Sequence, residues 1–552
     1  MYILGFSIGH DKGAVLIKDG KILIGITEER LSRIKHDGAY SHELPKLSID
    51  YCLKEYKLIY SDIDQYIYTT TEIEDYVESK FSQLTGLSSD RLKYIPHHLA
   101  HATCTFYSSA FDDAAVVVAD AMGSILSEHN QLKEWYTDVE LSGDNSFNWA
   151  EGYAIYHFKS TSEVNEVYKK WIKFPIPDDG EGEEVSIGFS YSRGSKQLIY
   201  SPKTNTWSAG KLMGLASFAD PEYVSKYETD NVYSEYDMSV PAGSIMPEVD
   251  YRSDFASKAN VAGLYQKKQV ESCVHLSKIA KNITDSKNLC VAGGSFLNCN
   301  TNETLLKSGM YENYYFIAPA DDSGIPLGCA LYGSFDKTEK VQLNPYLGRT
   351  YKDSEVLETL FKFRNIKFEK FDDFDKLTDV VSNDLVNNKV VGWFQGGSEI
   401  GPRALGNRSI LASPIQSWMI DYINSEIKQR EWYRPFAPSI LFEYQTQVFD
   451  LEEYSPHMLI TCTAKEEWRS RIPSVVHSDG TSRVQSVTPE NNEKYYSLIE
   501  CFHNKTNVPL VLNTSFNGPS EPIVETPLDA INTFLNIGLY SLVINNFYIT
   551  KR

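Results

Sequence analysis

"YILGFSIGHDKGAVLIKDGKILIGITEE", residues 2–29, sets three apolar runs apart with a Gly-His-Asp-Lys-Gly turn and then an Asp19-Gly20 pair. An Asp-Gly pair between apolar runs supplies the positive φ angles of a two-residue hairpin. The predicted order is a strand, a loop carrying His10 and Asp11, and two strands folded back on the first. Many folds open on such a hairpin, so the choice among them rests on the remainder of the chain.

Downstream, "LPKLSIDYCLKEY" (44–56) has helical spacing and "DQYIYTT" (64–70) reads as a strand. Strand and helix recur in "NLCVAGGSFLNCNTNETLLKSGM" (288–310), where a strand ends in Gly293-Gly294 and a helix is predicted to begin near Asn300. A strand-to-helix glycine turn brings backbone N–H groups close to a bound anion, although a plain tight turn is the competing reading. Pro and Gly in "VQLNPYLGRTYKDSEV" (341–356) mark a boundary between residues 1–345, expected as two pseudo-equivalent lobes, and residues 346–552.

Composition narrows the class. The chain has 552 residues, too many for one ordinary domain, and 42% of them are hydrophobic, enough for a sizeable core. Against 53 basic side chains stand 74 acidic ones, a formal charge of −21 that repels phosphate backbones and anionic membranes. No nucleic-acid or membrane partner is therefore expected. Eight cysteines without a CxxC pair argue against a zinc ribbon, a redox dithiol or a secreted disulfide framework. With no signal-like start and no run of eighteen apolar residues, the expectation is a soluble cytoplasmic protein.

Chemistry is concentrated in "PHHLAHATCTFYSSAFDDAAVVVADAMG", residues 96–123. If a helix begins near His97, then His97 and His101 share a face one turn apart, a spacing at which two imidazoles bind one ion, and His98 points away. "AAVVVAD" is a strand ending on Asp120, where loops of an open sheet gather ligands, and "APADDSGIPLGCALYG" places Asp322 before another helix. Two imidazoles with two carboxylates suit a divalent transition metal such as iron(II), manganese or zinc. Spacing alone leaves open a satisfied core histidine pair, with the aspartates as caps.

A second concentration runs through "GWFQGGSEIGPRALGNRSILASPIQSWMIDYINSEIKQREWYRPFAPSIL", residues 392–441. Arg403, Arg408, Lys428, Arg430 and Arg434, interleaved with Gly and Pro loops in an acidic chain, suggest an anion pocket for phosphate or carboxylate. "VPLVLNTSFNGPSEPIV" (508–524) then takes an apolar strand into Asn513, Thr514, Ser515 and Asn517, which hydrogen-bond an anion without adding charge.

In order along the chain, these segments resemble the NodU/CmcH family of O-carbamoyltransferases. The resemblance rests on the opening hairpin, "HHLAHA", "VVVAD", "SIGFSYS", "AGKLMGLAS", "VAGGSFLNCNTN", "DDSGIPLGCALYG", "NPYLGRTY", "GPRALGNRSIL", "KQREWYRPFAPSIL" and "LNTSFNGPSEPIVETPLDAI". It implies an α/β and α+β chain: an N-terminal domain of the actin-like ATPase (ASKHA) superfold with two lobes, then a YrdC-like domain. It also implies that carbamoyl phosphate and ATP, with Mg2+, form carbamoyl-adenylate in the second domain, and that the first passes the carbamoyl group to a hydroxyl of a small-molecule acceptor.

By motif position the resemblance makes His97, His101, Asp120 and Asp322 the ligands of Fe2+ or another divalent transition metal. Lys211, Gly214, Gly293, Gly294 and Asn298 become nucleotide-site residues, and His10 and Asp11 orient or deprotonate the acceptor hydroxyl. Arg403, Lys428, Arg434 and Ser515 become the carbamoyl phosphate pocket, with Arg408, Arg430, Asn513, Thr514 and Asn517 around it. Asp220 is a second acceptor-base candidate.

The chain departs from the family pattern in three places. Ala121 and Ser124 replace a glycine and an acid, Gly397 stands where an arginine is usual, and Ser520 replaces a glycine. Competing readings are threonylcarbamoyl-adenosine synthesis on tRNA, disfavoured by the net charge, and a non-catalytic nucleotide-binding regulator. Acceptor contacts are expected from residues 125–180 and 219–260, and a homodimer is the default assembly.

Overall fold

The structure, a computed structural model, describes residues 1–37, 43–70, 74–126, 130–136, 148–160, 163–174, 184–199, 209–226, 240–241, 254–334 and 342–552. Parts of both expected acceptor segments, and residue 341 of the expected boundary, lie outside the described residues. Two compact units result: Met1–Glu28 with His36–Leu343, and Glu29–Lys35 with Asn344–Arg552. Both mix helices with sheet, as the α/β expectation requires.

In the first unit one sheet is built on the opening hairpin. Lys21–Thr27, Gly13–Lys18 and Tyr2–Ile8 are antiparallel neighbours, and Gln65–Thr70 and Leu92–Tyr94 extend the sheet in parallel. Asp19 and Gly20 turn the hairpin at φ 48° and 82°, as the dipeptide predicts. Leu4, Phe6, Leu16, Tyr66, Tyr68 and Phe81 close a core beneath it. The second sheet repeats the plan: Glu163–Phe174, Asn148–Ser160 and Ala114–Ala119 are antiparallel, and Asn288–Ala292 and Asn313–Phe316 are added in parallel.

Between these sheets run two helices. His97–Ser108 is buried at every residue, as a helix enclosed on all sides must be, and it crosses the helix Ile325–Gly333. The crossing is close because Gly328 has no side chain; a β-carbon there would come within 1.9 Å of the Ala100 carbonyl oxygen. Gly5, in the first strand, admits Ile325–Gly333 from the other side, with Pro326 and Ala330 backbone atoms 2.2 and 2.3 Å from a would-be β-carbon.

The second unit is a nine-stranded mixed sheet whose centre holds Val391–Phe394, Arg408–Ala412, Leu510–Ser515 and Ala437–Leu441. The excursion Glu29–Lys35 is tied to it by arginines: Arg30 donates to the Gly401 carbonyl at 2.8 Å, and Arg33 to those of Ile523 and Pro522 at 2.8 and 2.9 Å. All eight cysteines are free, and among the described residues no helix is long and apolar enough to cross a membrane.

Candidate functional site

The helix begins at His97, with Pro96 before it, and this brings His97 and His101 onto one face with ring centroids 4.9 Å apart. Asp120 comes directly after the last residue of the strand Ala114–Ala119, and Asp322 opens the turn that leads into Ile325–Gly333. The four side chains meet. His97 Nε2 lies 3.5 Å from Asp120 Oδ2 and 3.4 Å from Asp322 Oδ1; His101 Nε2 lies 3.7 and 3.4 Å from the same atoms.

Neither Nε2 makes a hydrogen bond among the described residues, although both are buried. Ligands around a tetrahedral ion with bonds of about 2.1 Å stand about 3.4 Å apart, so these separations fit a shared ion better than they fit hydrogen bonds. Burial opposes charge on all four groups, yet they charge one another. Asp322 and Asp120 push His97 up to about 10, and the imidazoles hold Asp120 well below the usual carboxylate range. His98 points elsewhere, is fully buried and is pushed down to about 3 by that burial.

The Gly-Gly turn fixes one of the four groups. Gly293, at φ 96° and too close to the Ala119 carbonyl for any β-carbon, turns the chain so that Gly294 donates its N–H to Asp120 Oδ1 at 3.0 Å. The loop after Asp120 is held by a residue that no motif marked. Glu151, on the strand Asn148–Ser160, accepts from the backbone N–H of Ser124 at 3.0 Å and of His98 at 3.4 Å. Its other oxygen meets Lys169 Nζ at 2.7 Å. Ser124 itself accepts from Tyr94 and donates to the Thr70 carbonyl. Where the acid of the family pattern is missing from the loop, a carboxylate thus arrives from a neighbouring strand.

His10 and Asp11 lie in the loop after the first strand, and the structure adds His36 to them. Asp11 Oδ2 is 3.0 Å from His10 Nδ1 and Asp11 Oδ1 is 2.8 Å from His36 Nδ1, with the rings 4.4 Å apart. Burial opposes protonation of His10, but Asp11, aided by Asp322 and Asp321, pushes it up to about 9. One signal was available in the sequence, the run Lys35-His36-Asp37 shortly after a short helix.

Asn298 caps the helix Cys299–Ser308 and shares two amide hydrogen bonds with Gln266, which also accepts from Tyr191 at 2.7 Å. Gln266 carried no sequence signal, whereas Tyr191 lies in the "SIGFSYS" segment of the resemblance without having been singled out. Nearby, Tyr191, Tyr265, Lys268 and Gln269 line a small cleft, where burial pulls Lys268 down to about 8. Lys211 and Gly214 lie on Ala209–Ala216, which packs with Ile187–Ile199 against the long helix Phe255–Thr284. Asp220 is exposed and caps the next helix through the Glu222 N–H.

In the second unit Lys428 is the focus. A π-helical turn, Ile423–Ile427, precedes it, and the buried ammonium reaches the Ser515 carbonyl at 2.5 Å, Ser515 Oγ at 3.3 Å and Asn517 Oδ1 at 2.7 Å. Burial first, then Arg430, Lys35 and Arg434, hold its pKa well below the usual lysine range. Such a cluster of mutually repelling cations is stabilised by a polyanion. Arg403 stands partly exposed in the Gly-Pro-Arg loop, and Thr514 is half-buried beside Ser515.

Two of the neighbouring residues are occupied otherwise. The Arg408 guanidinium lies 3.5 Å from the centre of the Phe394 ring and donates to the carbonyls of Gln395, Gly396 and Asn407. Asn513 is buried and donates to Ala404, Ser439 and Gln485. At Gly397 a β-carbon would sit 2.3 Å from the Gly348 carbonyl oxygen, so the backbone of residues 346–348 takes the room that a side chain would need.

The chain is a carbamoyltransferase: residues 2–84 and 82–331 match the family description "Carbamoyltransferase N-terminus" and residues 382–551 "Carbamoyltransferase C-terminus", so it belongs to that family of enzymes. Among its relatives are the nodulation protein NolNO of Sinorhizobium fredii, 32% identical over 98% of this chain and 79% of its own, and the 3'-hydroxymethylcephem-O-carbamoyltransferase of Streptomyces clavuligerus, 29% identical over 60% and 62%. These matches bear out the NodU/CmcH-type resemblance. Full-length HypF, solved in a phosphate- and nucleotide-bound form, overlaps 60% of this chain and 55% of its own at 12% identity and a TM-score of 0.37.

Proposed function

We infer that the chain is an ATP-dependent O-carbamoyltransferase of the cytoplasm. In this reading its second unit, YrdC-like, makes carbamoyl-adenylate in two steps: water cleaves carbamoyl phosphate to carbamate and phosphate, and the carbamate oxygen then attacks the α-phosphorus of Mg2+-bound ATP, with pyrophosphate leaving. The first unit, of the actin-like ATPase type, moves the carbamoyl group to a hydroxyl of a sugar, glycoside or other small molecule. The twice-used sheet plan supports the assignment of the first unit. The observation that carries the reading is the Lys428 pocket, a buried lysine crowded by Arg430, Arg434 and Lys35 in a chain of net charge −21.

In that pocket Lys428, Arg434 and Arg403 bind the phosphate dianion and stabilise charge as its bond to the carbonyl breaks, and Ser515 and Asn517 orient it. His97, His101, Asp120 and Asp322 fit Fe2+ or another divalent transition metal, which when bound supplies an electrostatic clamp for the nucleotide's oxygens. Gly294 and Glu151 keep the Asp120 loop and the helix start in register for that purpose. Lys211, Gly214 and Asn298 flank the nucleotide, and His10 and Asp11 receive the acceptor hydroxyl, orienting it or taking its proton.

The test is pyrophosphate release by purified protein given ATP, magnesium and carbamoyl phosphate without any acceptor, with products resolved by mass. A carbamoyl-adenylate mass is expected. Silence, with carbamoyl phosphate binding absent by calorimetry, overturns the reading in favour of a nucleotide-binding regulator, and a requirement for threonine and bicarbonate points to the tRNA reaction.

A further inference from the structure

Two imidazoles from separate segments converge on one carboxylate at the loop after the first strand. We propose that His10, Asp11 and His36 form a second divalent-cation site, separate from the group made by His97, His101, Asp120 and Asp322. One nitrogen or oxygen from each of the three lies within 4.8 Å of the others. The carboxylate offers one oxygen to each ring, at 3.0 and 2.8 Å. Neighbouring ligands of an octahedral ion with bonds of about 2.1 Å stand about 3.0 Å apart, so each carboxylate–imidazole pair, drawn together here by a hydrogen bond, also has the spacing of two neighbouring ligands.

Exposure points the same way. The side chains of His101 and His97 are 1% and 6% exposed, whereas those of His10 and His36 are 39% and 24% exposed, which leaves coordination positions open to a substrate. His36 is held at φ 52°, a conformation uncommon for any residue but glycine, and the tight turn there directs its ring onto Asp11. Lys12, next in sequence to Asp11, is directed at Asp37 and the Glu43 carbonyl, at 3.6 and 3.4 Å. Asp321 and Asp322 add negative potential at the His10 ring. A borderline cation such as Mn2+, Co2+ or Zn2+ matches two imidazoles with one carboxylate. Bound there, it would hold an acceptor oxygen and lower the pKa of its hydroxyl; this role rests on the proposed function of His10 and Asp11 in receiving that hydroxyl.

Counting ions tests this without any turnover. Full-length protein stripped with a chelator is titrated with Co2+, and the ions that survive gel filtration are measured by elemental analysis. Two equivalents per chain are expected for the unaltered protein. His36→Ala and Asp11→Asn are each expected to retain one, and His101→Ala to lose the other one. A single equivalent in the unaltered protein overturns the proposal whether or not the variants fold. Two equivalents retained by a folded His36→Ala protein overturn it as well. Two equivalents retained by His101→Ala beside one in His36→Ala would uphold this site and count against the metal assignment under the proposed function.

Discussion

A β-carbon on Gly328 would stand 1.9 Å from the Ala100 carbonyl oxygen, so the helix that begins just after Asp322 and the helix that carries His97 and His101 cross nearly backbone to backbone. This contact sets the 3.4 Å separations between Asp322 and the two imidazoles.

Gly328→Ala is therefore expected to cost stability and, on the proposed metal assignment, ion retention together. The atom that opposes the new methyl is backbone rather than a flexible side chain, and overpacking of this kind costs about 1–3 kcal/mol. Urea unfolding should show that loss, and metal retention should fall even in the folded fraction. An unchanged ion affinity would show that the crossing does not position Asp322.

Catalytic variants should split the reaction in two. Arg434→Ala is expected to lower pyrophosphate release without acceptor by at least about 100-fold, the scale of removing one charge-stabilising donor. His101→Ala should leave that step within a small factor while abolishing transfer. Both steps are followed by mass spectrometry of the nucleotide products; an intact transfer step in the His101 variant overturns the division of labour.

Much of the first cluster was legible because its four side chains lie at positions that local sequence rules mark. His97 and His101 are four apart on a helix, and Asp120 ends an apolar strand. Asp322 opens a helix. What local patterns cannot show is convergence across the fold. Asp11 meets His36 only after a hairpin and the excursion Glu29–Lys35 have intervened, and Glu151 meets Lys169 through the pairing of two long strands, where no motif stood out. The π-helical turn Ile423–Ile427 before Lys428 is likewise a feature that no residue pattern marked. The lack of an arginine at Gly397 looks in the sequence like a lost cation, and in the fold it is where the backbone of residues 346–348 packs.

The Glu151–Lys169 pair predicts a stability profile in acid. Burial favours the neutral carboxyl, but Lys169 overcomes it, with help from His98, and holds Glu151 at about 2 against an ordinary value of 4.5. A carboxyl whose pKa is depressed on folding contributes stability that is complete above 4.5 and is lost as pH falls toward 2. Its contribution at pH 7 is on the order of 3 kcal/mol. Glu151→Gln should be less stable than the unaltered protein by that order at neutral pH, because the buried Lys169 loses its fully buried partner and is left with the Glu166 carboxylate, at 2.8 Å. The gap should close as pH falls from 4.5 toward 2. Urea midpoints across that range measure it, and a gap independent of pH would show that the carboxylate charge is not what Glu151 contributes.

Ser520 offers a test in the opposite direction. It sits at φ 60°, in the left-handed region where a β-carbon is strained and glycine is not, four residues before the strand-end segment closes onto Phe516 through the Val524 N–H. The glycine that the resemblance leads one to expect at this position is what the backbone there asks for. Relief of the strain exceeds the extra freedom that glycine gives the unfolded chain, so Ser520→Gly is expected to raise stability by about 0.5–1 kcal/mol. Because Ser515 and Asn517 lie in the same turn and hold Lys428 at 3.3 and 2.7 Å, pyrophosphate release should be retained in this variant. A fall in stability would mean that the serine hydroxyl, rather than the backbone angle, decides the energy of the turn.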